Sequence, residues 1–163
     1  MIQVMDPSEI TIIVNTAEDT EVSGLHISPD LDTVTYTLAG IVNERTWYGI
    51  RNDTFWCHEM LKRLGCPELL RIGDRDRAVK LTRTLMMKRG VTLSEATRFI
   101  ARGLGVKSRI LPMTDNRVRT EIVTPRGKMS FHEFWVARRA RVRVLGVKFR
   151  GIEKAEPAPG VVD

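Results

Sequence analysis

Cysteine, histidine and aromatic side chains are all scarce in this chain of 163 residues, which holds two cysteines, three histidines and 6% Phe, Trp and Tyr. Cys57 and Cys66 stand nine positions apart with no CxxC spacing, so neither a disulfide framework nor a zinc knuckle is written into the sequence. Both read as reduced, partly buried thiols. His26, His58 and His132 are scattered, so a zinc site would have to be assembled wholly by the fold. No run approaches the roughly 18 apolar residues that a membrane span requires, and no signal-peptide pattern opens the chain. The expectation is a soluble, cytoplasmic protein. Repeats and low-complexity tracts are missing as well, and Met1 to Ser8 has no Gly-rich turn of the kind that cradles phosphate.

What the chain does have is enough apolar material, 42%, for one domain with a substantial core. Its net charge of +6 is unevenly divided. Residues 1–66 carry ten acidic and four basic side chains, a balance of −6, whereas residues 67–163 carry ten acidic and twenty-two basic ones, a balance of +12. A basic half of that kind calls for an anionic partner, and either nucleic acid or a substrate with several phosphates meets the requirement.

Ile10 to Thr16 reads as a strand of a parallel sheet, covered on both faces. Asn15 to Asp19, at its carboxyl end, forms either an ordinary turn or a loop whose side-chain amides and hydroxyls, Asn15 first among them, meet a ligand. Ser28-Pro29 then supplies an N-cap and a first helical position, and Val34, Leu38, Ile41 and Val42 continue an apolar stripe to about Asn43. Asp30 and Asp32 fall in the first turn of that helix. There they complement the helix dipole, or act as a general base or Mg2+ ligand beyond the end of a strand.

Thr46 to Ile50 reads chiefly as core. Asn52 or Asp53 is expected to cap a helix ending near Leu64, with Trp56, Met60 and Leu64 on one stripe. Gly73 to Arg77 follows. Asp74 is expected to cap the next helix, with Ala78, Leu81 and Leu85 inward, and the arginines here could clamp phosphate oxygens. Thr92 to Glu95 is a capping box opening a further helix. From Ser108 the period becomes two. Strands are expected at 108–111, 118–123 and 128–131, the last two joined by a Pro-Gly turn over 124–127. Phe131, Phe134 and Trp135 read as core, Arg138 to Arg143 as an arginine-guarded edge strand, and Lys148 to Ile152 as another strand. The order implies an α/β fold with a helical and hairpin lobe, divided into a first part over 1–66, a helical lobe over 67–112 and a β-rich part over 113–163.

Several blocks together carry a family resemblance: Asn15 to Asp19, Ser23-Gly24, Ile27 to Val34, Thr37 to Gly40, Gly73 to Ala78, Leu111 to Met113 and Glu133 to Val136. Over nearly its whole length the chain resembles the 2-phospho-L-lactate transferases. The related gluconeogenesis-factor group has a Gly/Ser-rich segment where this chain has Ser28 to Thr33, which separates the two.

The resemblance implies a Rossmann-like three-layer core, here incomplete, and a homodimer. It also implies transfer of a phospholactyl or phosphoenolpyruvyl group from a lactyl- or enolpyruvoyl-diphosphoguanosine to a hydroxyl of the deazaflavin Fo, with release of GMP and with Mg2+ as cofactor, in coenzyme F-420 biosynthesis. In that frame Asp32 and Arg71 bind Fo. Asp32 orients or deprotonates the hydroxyl, Asp30 supports it or binds Mg2+, and Asn15, Asp74 and Arg75 are further candidate substrate contacts.

Family members also have a strand and a Gly-Gly-Thr-Gly loop before the position of Ile10, and a Gly-Pro-Ser-Asn-Pro segment beyond Pro157 to Gly160. Smaller departures are Asn116-Arg117 in place of Asp-Pro, and Ala140 to Arg143 in place of Gly-Glu-Pro. A fragment or split subunit with weak guanosine-diphosphate binding and little activity by itself is therefore expected. Competing expectations are an inert fragment, or a non-catalytic basic module that binds RNA or an acidic partner through Arg138 to Arg150.

Overall fold

The computed structural model describes residues 4–162; Met1 to Gln3 and Asp163 lie outside them. Strand β1 (Thr11–Val14) pairs in parallel with β4 (Arg109–Pro112), in register Thr11 to Arg109 through Val14 to Pro112. One face of this pair receives helix α1 (Pro29–Leu38) and helix α4 (Leu93–Gly103). Val14, Leu31, Leu93, Ala101 and Ile110 close a buried cluster there, with Ile12, Val34 and Met87 packed around it. This is the expected α/β arrangement. The other face of β1 is open, however, and Ile13 is 51% exposed. Its apolar run predicts a strand covered on both sides, but no described element lies over Thr11 and Ile13.

Between β1 and α1 runs a hairpin that periodicity does not reveal, β2 (Thr20–Val22) and β3 (Leu25–Ile27). Its two-residue turn, Ser23-Gly24, has both residues at positive φ, the geometry that matches strand twist in a tight hairpin. The hairpin carries Val22, Leu25 and Ile27 into a second core with Leu70 and Ile72.

Helix α1 starts where expected and stops sooner. Gly40, at φ 68°, breaks it after Leu38, so Ile41 and Val42 belong to the following turn, and Val42 bridges to Ile50. Ser28 is fully buried and does not cap the helix with its side chain; its hydroxyl donates to Asp19 Oδ2 at 2.9 Å.

Helix α2 (Trp56–Arg63) and helix α3 (Asp74–Lys88) exchange their caps. The carboxylate of Asp74 accepts from the Trp56 and Cys57 amides at 2.9 and 3.0 Å, thus capping α2. That of Asp53 accepts from the Arg75 and Asp76 amides, both at 3.0 Å, thus capping α3. Each aspartate serves the helix opposite to the one its position predicts, because the two helix starts lie side by side. Gly73 is required between them, since a Cβ there would collide with the Asp53 carboxylate.

The faces of α2 and α3 reverse the pattern read from hydrophobicity. Trp56, Met60 and Leu64 do form one stripe, but it is 80%, 50% and 70% exposed, and both cysteines are exposed with it. On α3 the inward residues are Asp76, Lys80, Arg83 and Thr84, while Ala78, Leu81 and Leu85 face outward.

The capping box of α4 forms as expected, with Thr92 and Glu95 satisfying each other's amides. Strands β6 (Gly127–Ser130), β5 (Arg119–Thr124) and β7 (Gly146–Arg150) make an antiparallel sheet in that order. The Pro-Gly turn joins β5 to β6 as expected, Thr124 pairing with Gly127. Arg138 to Arg143 is not a strand. It forms turns and irregular backbone, with Arg139 and Ala140 at positive φ, after a π-helical turn over Glu133–Ala137. Trp135 and Trp47, both expected in the core, are each 60% exposed.

Candidate functional site

The carboxyl end of β1 opens onto a group of polar side chains supplied by four elements. Asn15, the residue after β1, accepts from the Ala17 amide at 3.1 Å and donates through Nδ2 to Asp30 Oδ2 at 2.7 Å. The loop and the first turn of α1 are thereby locked together, and Asn15 and Asp30 meet as the sequence suggests. Beside them Asp19, 3% exposed, receives the Ser28 hydroxyl and lies 2.8 Å from His26 Nε2. Glu18 accepts from Thr120 at 2.9 Å through Oε1, while its Oε2 is buried without a partner. Burial pushes the Glu18 carboxyl upward, and the nearby charges of Asp30 and Asp19 add to the rise. His132 is buried next to this group, and desolvation lowers its pKa from the ordinary histidine value.

Asp32 lies one step deeper. It is 4% exposed and takes part in a buried charge network with α3. Lys80 Nζ donates to Asp32 Oδ2 at 3.0 Å, the Arg83 guanidinium donates to both Asp32 oxygens, and Lys80 also pairs with Asp76. The Tyr36 hydroxyl donates to Asp76 Oδ1 at 2.7 Å. Desolvation alone would raise the Asp32 carboxyl, but Arg83 and Lys80 outweigh it and hold it below its ordinary value. It stays ionised and fixed in direction. The same contact raises Arg83 against its own burial penalty, and Tyr36 is driven well above the usual phenol range.

The remaining candidates are elsewhere. Arg71 is exposed and stacks over the Phe55 ring, 3.9 Å from its centroid. Asp74 is the cap of α2, and Arg75 donates to the Arg51 carbonyl at 2.7 Å. None of these three makes a recorded hydrogen bond or ion pair with Asp30 or Asp32. The partners that the sequence reading missed are Glu18, Asp19, His26, His132, Asp76, Lys80 and Arg83. A signal for the last three was present, since charged residues 76, 80 and 83 recur at helical spacing; a search for apolar periodicity passes over it.

A cleft of about 590 Å³ adjoins this group, lined by the segment Ala17 to Glu21 and by residues of the β6–β5–β7 sheet. Glu18, Asp19, Glu21 and His132 line it together with Arg117, Arg119 and Arg150. Among the described residues no group of three or more His, Cys, Asp or Glu could hold a metal by itself, and no helix is long and apolar enough to cross a membrane. Mg2+ commonly takes one or two carboxylates and completes its shell with water and substrate phosphates, so Asp30 beside Asn15 suits a metal that arrives with a diphosphate.

Comparison with known proteins agrees with this architecture. The family model described as 2-phospho-L-lactate transferase CofD matches residues 2–163. The chain is 53% identical over 163 residues to the 2-phospho-L-lactate transferase of Methanothermobacter thermautotrophicus, covering 100% of this chain and 52% of that one. To the protein of the same name from Methanopyrus kandleri it is 54% identical over 157 residues, covering 96% and 51%. It thus spans about half the length of these relatives. A crystal structure of a UPF0052 family member from Bacillus halodurans shares the fold, with a TM-score of 0.55 at 15% identity over 92% of this chain and 45% of that one. With sequence match and fold in accord, the chain belongs to the 2-phospho-L-lactate transferase family.

Proposed function

We propose that this chain forms the acceptor-binding half of a phospholactyl or phosphoenolpyruvyl transferase acting on the deazaflavin Fo. In the reaction a hydroxyl of Fo attacks the phosphorus bearing the three-carbon acid in a lactyl- or enolpyruvoyl-diphosphoguanosine. The new P–O bond forms as the bond to the guanosine phosphate breaks, the hydroxyl loses its proton, and GMP leaves. Such a step needs the hydroxyl aimed, its proton accepted and the growing phosphate charge met by cations.

The observation that carries the reading is the Asp32 carboxylate in the first turn of α1, pinned in the ionised state by Lys80 and Arg83. A carboxylate held in that way orients a hydroxyl by accepting its hydrogen bond. It is a poor proton acceptor, because two cations already stabilise its charge. The proton-accepting or metal-holding role falls to Asp30, half-buried and steadied by Asn15; Mg2+ bound there would supply positive charge to the diphosphate. Arg71, exposed and stacked on Phe55, offers a planar cation for the flat face of Fo. Asp74 and Arg75, engaged in capping and in the contact with the Arg51 carbonyl, act on the site through the placement of α2 and α3.

The test is GMP release from lactyl-diphosphoguanosine and Fo in the presence of Mg2+, run beside a full-length relative. The expected outcome is Fo binding by the chain with turnover far below that of the relative. Absence of Fo binding removes the reading. A second reading rests on Arg139, Arg141 and Arg143, all exposed and without an ion pair among the described residues. A basic ribbon of that kind would bind RNA with steep salt dependence, and no binding at low salt dismisses it.

A further inference from the structure

Strands β5 and β7 are paired so that Arg119 lies directly opposite Arg150. Alternation on β5 puts Thr120, Ile122 and Thr124 in the interior and Arg119, Glu121 and Val123 on the outer face, so the two guanidinium groups leave the same side of the sheet. Like charges directly across adjacent strands are destabilising. Neither arginine has an ion-pair partner among the described residues, whereas the neighbouring Glu121 is bound to Lys128 at 3.2 Å. Arg119 is also half-buried, and desolvation lowers its affinity for its proton.

The close approach is built into the backbone. Gly151, at φ 90°, follows β7, and a Cβ at that position would lie 2.5 Å from the Arg117 carbonyl oxygen. Only glycine lets the residue after β7 press against the segment just before β5, and Arg150, Arg119 and Arg117 all line the 590 Å³ cleft. Of the acids that line the cleft, Glu21 is exposed and makes no ion pair among the described residues, and the others are engaged at least in part. Asp19 is held by Ser28 and His26, Glu133 by Arg138 at 3.3 Å, and one oxygen of Glu18 by Thr120.

We propose that Arg117, Arg119 and Arg150 form an anion subsite in this cleft that takes a diphosphate or a similarly multiply charged phosphoryl group. Arg119 donates through one arm of its guanidinium to the Val118 carbonyl at 2.7 Å, and the remaining N–H donors of the arginines that line the cleft suit phosphate oxygens, whose charge offsets that of the paired arginines. The subsite rests on the transferase reading only for the identity of its natural ligand. Under that reading it holds the diphosphate of the donor near Asp30, whose charge is felt by Glu18 and His132 in the lining of the same cleft.

The probe is inorganic pyrophosphate, titrated calorimetrically into the chain at low ionic strength without Mg2+. The wild type is expected to bind, with affinity falling as salt is raised. The double variant Arg119→Gln/Arg150→Gln is expected to lose on the order of tenfold or more in affinity, as follows from removing charged donors, while its melting temperature stays level or rises. Undiminished binding by that variant, or no binding by the wild type at low salt, overturns the subsite. If the double variant fails to fold, Arg117→Glu on the exposed rim gives the same reading. Fo binding is measured separately: a chain that binds Fo and not pyrophosphate refutes this subsite alone, and the reverse result refutes the acceptor reading alone.

Discussion

At the scale of the residue, Asp32 serves the fold and, under the proposed transferase reading, the chemistry as well. Because its partners Lys80 and Arg83 are both almost fully buried, Asp32→Asn leaves Arg83 without its counter-charge and Lys80 with Asp76 alone. Breaking a buried pair in this way costs about 3–5 kcal/mol, so the variant is expected to show a melting temperature lowered by many degrees along with lost turnover. A wild-type melting curve would show that the network contributes little. The pH dependence has a definite sign. The folded Asp32 carboxyl titrates below its unfolded value, so its stabilisation is complete above the ordinary carboxylate range, near pH 4. It is lost as pH falls from there through the folded value. Denaturant midpoints measured downward from pH 6 are expected to drop below about pH 4 in the wild type and to drop less in Asp32→Asn. Asp30 and Asp32 were both legible in the sequence as first-turn carboxylates. Which of them is buried against cations depends on α3, some fifty positions further on, and no local pattern reports it.

At the scale of the element, the crossed caps of α2 and α3 couple two helices through two aspartates. Each cap accepts two amide hydrogen bonds, and removal of one costs about 1 kcal/mol, with an upper range near 2. Asp53→Ala and Asp74→Ala are each expected to lower stability by that amount. Because the caps share one junction, the double variant is expected to lose less than the sum of the single losses; strict additivity would show that the helix starts are independent. Gly73→Ala is expected to be at least as damaging as either single variant, since its Cβ and the Asp53 carboxylate compete for the same space. The sequence placed the start of α3 to within a residue and that of α2 a few residues early. It assigned the caps to the wrong helices because capping rules consider only neighbours along the chain, whereas the amides that these carboxylates satisfy are about twenty positions away.

At the scale of the whole molecule, much apolar surface faces outward: Ile13 on β1, the α2 stripe, Leu81 and Leu85 on α3, and Val147 and Phe149 on β7. The three tryptophans, Trp47, Trp56 and Trp135, are 60%, 80% and 60% exposed. Fluorescence of the folded chain is expected to resemble that of indole in water, to be readily quenched by iodide, and to shift little on unfolding in urea. A strongly blue-shifted emission would mean that these faces are covered in solution, whether by self-association or by another arrangement. The sequence by itself determined what depends on neighbours: where helices begin, the capping box of α4, the Pro-Gly turn between β5 and β6, and the two aspartates past β1. Only the tertiary structure decided which faces are buried. An apolar stripe marks a helix that can be covered, but on α3 the interior instead took Asp76, Lys80 and Arg83, because ion pairing with Asp32 from α1 offsets the cost of removing those charges from water, and that partner exists only once the chain has folded.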